Sequence, residues 1–282
     1  MAIILSMAAA LTYGAADFLG GLMSKRNRVL RVVFVSQLFG NLLLLVVFAF
    51  MNDGVVSSEG LLWGAGAGVG GATGVVLLYR GLAVGRMSVV APITAVEAAS
   101  LPVLFGLATG ERPSQAALIG VGVAIVAVAL ISRSSDDTPS DGSDPLARSG
   151  IVEALGAGFA FGVFFILLDG ADETSGMWPL LSVRFTSFLL LGAAIAATRT
   201  PLRPAPGTLV GIAVSGVLDV AANIFYLLST REGLLSLVAV ITSMYPAMTV
   251  LLARMWLKER LVRLQMLGLG LAVVGIILIA GG

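Results

Sequence analysis

The sequence predicts an all-α integral membrane protein: ten transmembrane helices in two inverted five-helix repeats. Three observations carry that expectation. The first is composition. Of 282 residues, 58% are hydrophobic and only 12% are charged, and the mean hydropathy is +1.02, whereas a soluble domain carries about 45–50% apolar and about 25% charged residues. So little charge cannot cover a globule of this size, which excludes a water-soluble enzyme. The second is the recurrence of apolar runs near the roughly 20 residues that a helix needs to cross a bilayer. The third is that the second half of the chain repeats the first.

Taken in order, the ten runs fall at about 2–23, 31–51, 60–80, 87–109, 115–132, 150–169, 177–198, 207–229, 234–256 and 263–281. The first has no Lys or Arg ahead of it, so it reads as a membrane span and not as a cleaved signal. It ends at the basic cluster Lys25, Arg26, Arg28 and Arg31. The third is rich in glycine, LLWGAGAGVGGATGVVLLY. The fourth and ninth carry Pro102 and Pro246 near their middles, where a proline frees backbone carbonyls that only protein or a cavity can satisfy. Between the fifth and sixth lies RSSDDTPSDGSDPLAR, Arg133 to Arg148, a polar Ser/Asp/Pro linker. The organisation is therefore a first repeat at 1–132, a linker at 133–148 and a second repeat at 149–282.

Sliding residues 86–131 onto 234–279 without a gap makes 15 of 46 positions identical, against roughly five expected by chance from membrane-type composition. The register pairs Ser88 with Ser236, Ala91 with Ala239, Ile93 with Ile241, Thr94 with Thr242, Glu111-Arg112 with Glu259-Arg260, Gly120 with Gly268 and Gly122 with Gly270. The same shift pairs Gly14 with Gly162, and a shift smaller by one pairs Tyr79 with Tyr226. Five spans per copy is an odd number, so the second copy enters the membrane upside down. Inverted repeats place a substrate site near the midplane between the copies.

Several chemistries are excluded by absence. With no cysteine and no histidine, disulfides, thiolate catalysis, imidazole-ligated zinc and Ser-His nucleophile pairs are impossible. No catalytic residues, metal or cofactor are expected. Gly66-Ala-Gly68-Val-Gly70-Gly71 matches a dinucleotide fingerprint by spacing but lies inside an apolar run without the strand such a site needs. Gly64/Gly68, Gly66/Gly70 and Gly70/Gly74 instead read as close-packing helix contacts. No P-loop occurs, so ATP is not used through one in this chain.

Charges within the runs are the sharpest signal, because a carboxylate at the bilayer centre costs about 2.5–3.5 kcal/mol even on insertion scales. Asp17, Glu97, Arg184 and Asp219 are the four. Asp17 shares a helix face with Tyr13, Asp219 shares one with Asn223 and Tyr226, and Glu97 stands three residues from both Thr94 and Ser100. The register sets Glu97 opposite Tyr245. The expected pathway is thus Tyr13, Asp17, Thr94, Glu97, Asp219, Asn223, Tyr226, Thr242 and Tyr245, with Glu97, Asp17 and Asp219 as candidates for proton coupling. The plainer alternative is acid–Arg184 pairing that holds helices together. Glu153 and Asp169, at the ends of the sixth run, read as interfacial, as do Trp63, Trp178 and Trp256.

The segments GLAVGRMSVVAPITAVEAASLPVLFGLATGERPSQAALIGVGVAIVAVALI and TREGLLSLVAVITSMYPAMTVLLARMWLKERLVRLQMLGLGLAVVGIILI each resemble the third-to-fifth-helix signature of the drug/metabolite transporter superfamily, EamA-like branch. The resemblance implies a ten-helix secondary carrier that moves small metabolites, amino acids or drugs through a central cavity by alternating access, in uptake or efflux. The chain departs from the family pattern in the loop after the second run, Asn52 to Glu59, which has no Lys or Arg. Loops after odd-numbered runs hold 14 Lys and Arg and those after even-numbered runs hold 2. Since basic loops stay in the cytoplasm, both termini are expected outside a cytoplasmic (inner) membrane. Expected partners are a small solute and the bilayer, not nucleic acid, with the chain a monomer or homodimer. Two other readings compete. One is an intramembrane aspartyl hydrolase using Asp17 and Asp219, although Gly216-Val-Leu-Asp219 lacks a glycine two before the aspartate. The other is a non-transporting membrane sensor, for which no soluble output domain is present.

Overall fold

Helices dominate the computed structural model, which describes residues 1–51, 54–110, 114–133, 145–171, 173–232, 241–242, 244–259 and 263–281. They are α1 (Ala2–Ser24), α2 (Val29–Met51), α3 (Ser58–Val84), α4 (Met87–Ala108), α5 (Gln115–Arg133), α6 (Pro145–Asp169), α7 (Trp178–Thr198), α8 (Leu209–Glu232), α9 (Tyr245–Trp256) and α10 (Arg263–Ala280). Seven of them, α1 to α4 and α6 to α8, are long and apolar enough to cross a membrane over the described residues. The expected linker lies largely outside the described residues, as do Glu111, Arg112, Ser236 and Ala239.

Large apolar side chains point outward: Phe50 is 86% exposed, Leu62 74% and Val210 73%. Such a surface suits lipid as solvent, and then apolar burial no longer drives helices together. Close packing must do so instead. The glycine-rich α3 supplies it. A Cβ on Gly64 would strike the Pro179 carbonyl, and one on Gly68 would come within 2.7 Å of the Val183 carbonyl, both of α7. Gly70 and Gly74 face Ala160 and Phe161 of α6 in the same way. The glycines are packing contacts, as their four-residue spacing predicts.

Helix α3 packs on α6 and α7, while α8 packs on α1 and α2; α4 lies against α6, α9 against α1, and α5 against α10. Serines buried in this apolar setting return their hydroxyls to their own helix, Ser6 to the Ala2 carbonyl and Ser100 to the Val96 carbonyl. Ser57 caps α3 by accepting from the Gly60 amide at 2.9 Å.

Of the two prolines expected to interrupt their spans, one does and one does not. Pro102 does not interrupt the fourth span: α4 continues through both Pro92 and Pro102. At Pro246 the ninth span is interrupted as expected, by a helix start: Pro246 stands in the first turn of α9, after Met244 at φ −81° and ψ 4°. A proline lacks the amide that a first-turn position leaves unbonded anyway, and its fixed φ suits a helix start. The ninth span is therefore broken at Met244, with Ile241 and Thr242 helical before it.

Candidate functional site

Five helices bring ionisable and phenolic side chains together inside the bundle. Asp17 lies on α1, Arg184 on α7 and Asp219 halfway along α8. The Arg184 guanidinium donates to Asp219 Oδ2 at 2.8 Å, joining α7 to α8. The side chains of this pair remain 14% and 33% exposed. Ions within an apolar span are costly unless paired or wetted, and this pair meets the first condition.

Tyrosines gather beside the acids. The Tyr13 and Tyr245 rings tilt against each other with centroids 6.1 Å apart. Asp219, Arg184, Tyr226 and Asp17 are the groups whose fields reach the Tyr13 hydroxyl. Asp17 in turn feels the charge of Asp219 and has no ion pair among the described residues. Asn223, one turn beyond Asp219, donates to the Asp219 backbone carbonyl at 2.7 Å. Tyr79 completes the group: its ring fills the notch left by Gly20 of α1, and its hydroxyl interacts with Ser215 of α8. Tyr79 is not among the residues expected from the sequence, yet the repeat that pairs it with Tyr226 carries its signal.

The broken ninth span sets Tyr245. A Cβ on Gly14 would strike the Tyr245 carbonyl and lie 2.6 Å from Met248 Cβ, so α1 and α9 touch backbone to backbone. Thr249 donates to the Gly14 carbonyl at 3.1 Å. This contact places the amino end of α9, with its partial positive charge, one helical turn from Asp17.

The remaining predicted residues sit elsewhere. Glu97 is half-buried beside Gly158 of α6, with no ion pair among the described residues. Thr94 is fully buried and donates to the Ala154 carbonyl at 3.2 Å. Thr242 is buried, and its hydroxyl has no hydrogen-bond partner among the described residues. Glu153, near the start of the sixth span, is 7% exposed and paired with the exposed Arg80 of α3 at 2.9 Å. A small crevice of about 20 Å³ between α4, α9 and α10 is lined by apolar residues such as Pro92, Met244, Pro246 and Leu269, apart from the acids. Among the described residues no cluster of three acidic side chains could hold a metal ion.

A bundle of long apolar helices that buries charged side chains among them has the architecture of a multi-span membrane protein. The chain belongs to the EamA-like transporter family, whose model matches residues 1–133 and again 148–281. No curated protein matches it. The fold matches a solved crystal structure of a protein that is 13% identical, over 98% of this chain and 95% of that one, with a TM-score of 0.62.

Proposed function

We propose that this chain is a secondary transporter whose solute binds between Tyr13, Asp17, Tyr79, Asp219, Tyr226 and Tyr245, in a chamber shared by two inverted repeats at 1–132 and 149–282. The observation that carries the reading is the Arg184–Asp219 pair at mid-depth beside the unpaired Asp17. Two acids against one base leave the chamber acidic, and aromatic faces attract cations. Both features favour a solute bearing an amine, zwitterionic or cationic, over a phosphate ester, which would call for several Lys or Arg.

The inverted repeat is supported by reciprocal packing. Exchanging the halves turns α3 on α6 and α7 into α8 on α1 and α2, and turns α4 on α6 into α9 on α1. The rims follow the same exchange. At one face the Val55 amide bonds Thr174 and Ser175 bonds Ser57, and at the other Asn27 bonds Ala205 and Thr208. In this reading the tenfold crossing leaves the Lys/Arg-rich face in the cytoplasm and both termini outside. Asp219 is engaged by a guanidinium and not held as a free carboxyl facing Asp17, which disfavours an aspartyl dyad. The free carboxylates Asp17 and Glu97 are then the candidates for moving a proton with the solute.

The test is flux in sealed proteoliposomes, screened across amino acids, purines and cationic drugs chosen by thermal shift. Single cysteines at Tyr13, Asn223 and Tyr226 should react with a membrane-impermeant thiol reagent, and a solute that flows should protect them. The chain has no native cysteine to subtract. Unreactive positions, or flux without protection, would place the solute elsewhere.

A further inference from the structure

We propose that the Glu259 carboxylate is a latch that closes the Lys/Arg-rich face of the bundle by gripping the amino end of α4, and that its release opens the chamber to that face. Glu259 Oε1 accepts from the Met87 amide at 3.1 Å, and Oε2 accepts from the Ser88 amide at 3.0 Å and from Ser88 Oγ at 2.6 Å. Two of these bonds satisfy first-turn backbone donors of α4, which has no side-chain cap of its own, and the third holds the Ser88 hydroxyl. The contact spans more than 170 residues of sequence and joins the two halves. Its acceptor is charged and meets the positive end of a helix, the strong form of such a bond.

The placement of Glu259 suits a moving part. Helix α9 ends at Trp256, and Lys258 takes a left-handed φ of +55° that turns the chain back and presents Glu259 to α4. Few non-glycine residues adopt that region unless their surroundings hold them there. Glu259 itself is half-buried, so water can take over its bonds when it leaves. The gripped end of α4 is shut in: Met87 and Ser88 are buried, Met87 against Gly21 of α1, whereas Leu104, Phe105 and Leu107 at the far end are exposed.

Helix α9 connects this latch to the chamber. Its first residue, Tyr245, lies against Tyr13 and Gly14, and Glu259 follows three residues after its last. A helix of 12 residues is a rod about 18 Å long. A solute that displaces Tyr245 therefore shifts the whole rod and withdraws the carboxylate from α4. The repeat register pairs Glu259 with Glu111 and Ser88 with Ser236; those two lie outside the described residues, and the latch rests on Glu259 alone.

The latch rests on the transport reading but is tested without a solute. An Asn223→Cys reporter is labelled with a membrane-impermeant methanethiosulfonate in vesicles of each orientation. Glu259→Gln should speed labelling from the Lys/Arg-rich face about tenfold, as expected for loss of hydrogen bonds to a charged group. A Ser88→Cys/Glu259→Cys pair should form a disulfide that reduces labelling from that face to background, and reductant should restore it. The disulfide arm decides the matter if Glu259→Gln fails to fold. Unchanged sidedness in either arm, or no disulfide, overturns the latch. Flux that fails while sidedness switches counts against the transport reading and leaves the latch standing.

Discussion

At the scale of residues, the Arg184–Asp219 pair joins α7 to α8 and is proposed to border the solute, and substitutions can separate the two roles. Removing one partner of a buried pair typically costs about 3–5 kcal/mol, and the partial exposure of this pair sets Arg184→Ala at or below the lower end. Arg184→Ala should lower the melting temperature in detergent, whereas Arg184→Leu/Asp219→Leu should recover most of it, because an apolar pair carries no unpaired charge. If the double variant also recovers flux, the pair only holds α7 to α8. Coupling is read from the free acids. Glu97→Gln and Asp17→Asn keep size and hydrogen bonding but cannot ionise. Under proton coupling, at least one should abolish uphill accumulation and its pH dependence while solute exchange persists. Should both variants and Asp219→Asn accumulate solute like the native protein, coupling through these groups is excluded. The acids were legible in the sequence because an ion inside an apolar run is costly enough to demand a reason. The choice of Asp219 over Asp17 as partner of Arg184 was not, since it depends on how α7 and α8 are rotated about their axes.

At the scale of elements, the break in the ninth span and the glycine contact beneath it set Tyr245 against α1. Gly14 admits the α9 backbone, so Gly14→Ala would force α1 and α9 apart; overpacking of this kind costs about 1–3 kcal/mol. Gly122 on α5 has nothing within 4 Å of its would-be Cβ, so Gly122→Ala should leave stability unchanged or raised. Thermal unfolding in detergent compares the two, and equal loss from both would mean that the α1–α9 contact does not govern stability. The four-residue glycine spacing in α3 foretold its packing because periodicity fixes which residues share a face. Proline was less informative. Pro92 and Pro102 ride inside α4 while Pro246 starts α9, and residue type alone does not distinguish a tolerated kink from a helix start. The difference lies in neighbours: α9 meets α1 backbone to backbone beside Tyr245, which fixes where the helix begins. Glu259 was equally hidden, because its acceptor role appears only when distant segments meet.

At the scale of the whole molecule, composition and internal repetition made the fold class legible, since apolar length and register are properties of the chain itself. The membership in a transporter family follows the same diffuse signal. Which face looks inward is also written in the chain, through Lys and Arg. The basic residues Lys25, Arg26, Arg28, Arg31, Arg199, Arg203, Arg254, Lys258 and Arg263 stand at the ends of α1, α7 and α9 or the starts of α2 and α10. All of these ends fall on one face if successive helices cross the membrane. The rim tie from Asn27 to Ala205 and Thr208, and the Glu259 contact with α4, fall on that same face. Basic loops are retained in the cytoplasm during insertion, so this face is predicted to be cytoplasmic and the amino end of α1 and carboxyl end of α10 to lie outside. An alkaline-phosphatase reporter fused after residue 282 should then be active in whole cells, because it folds only outside the cytoplasm, and a fluorescent protein fused there should stay dark. The converse fusion, in the loop between α7 and α8 near Arg203, should fluoresce and lack phosphatase activity. A fluorescent carboxyl-terminal fusion would reverse the orientation, and the Glu259 latch would then guard the outer face.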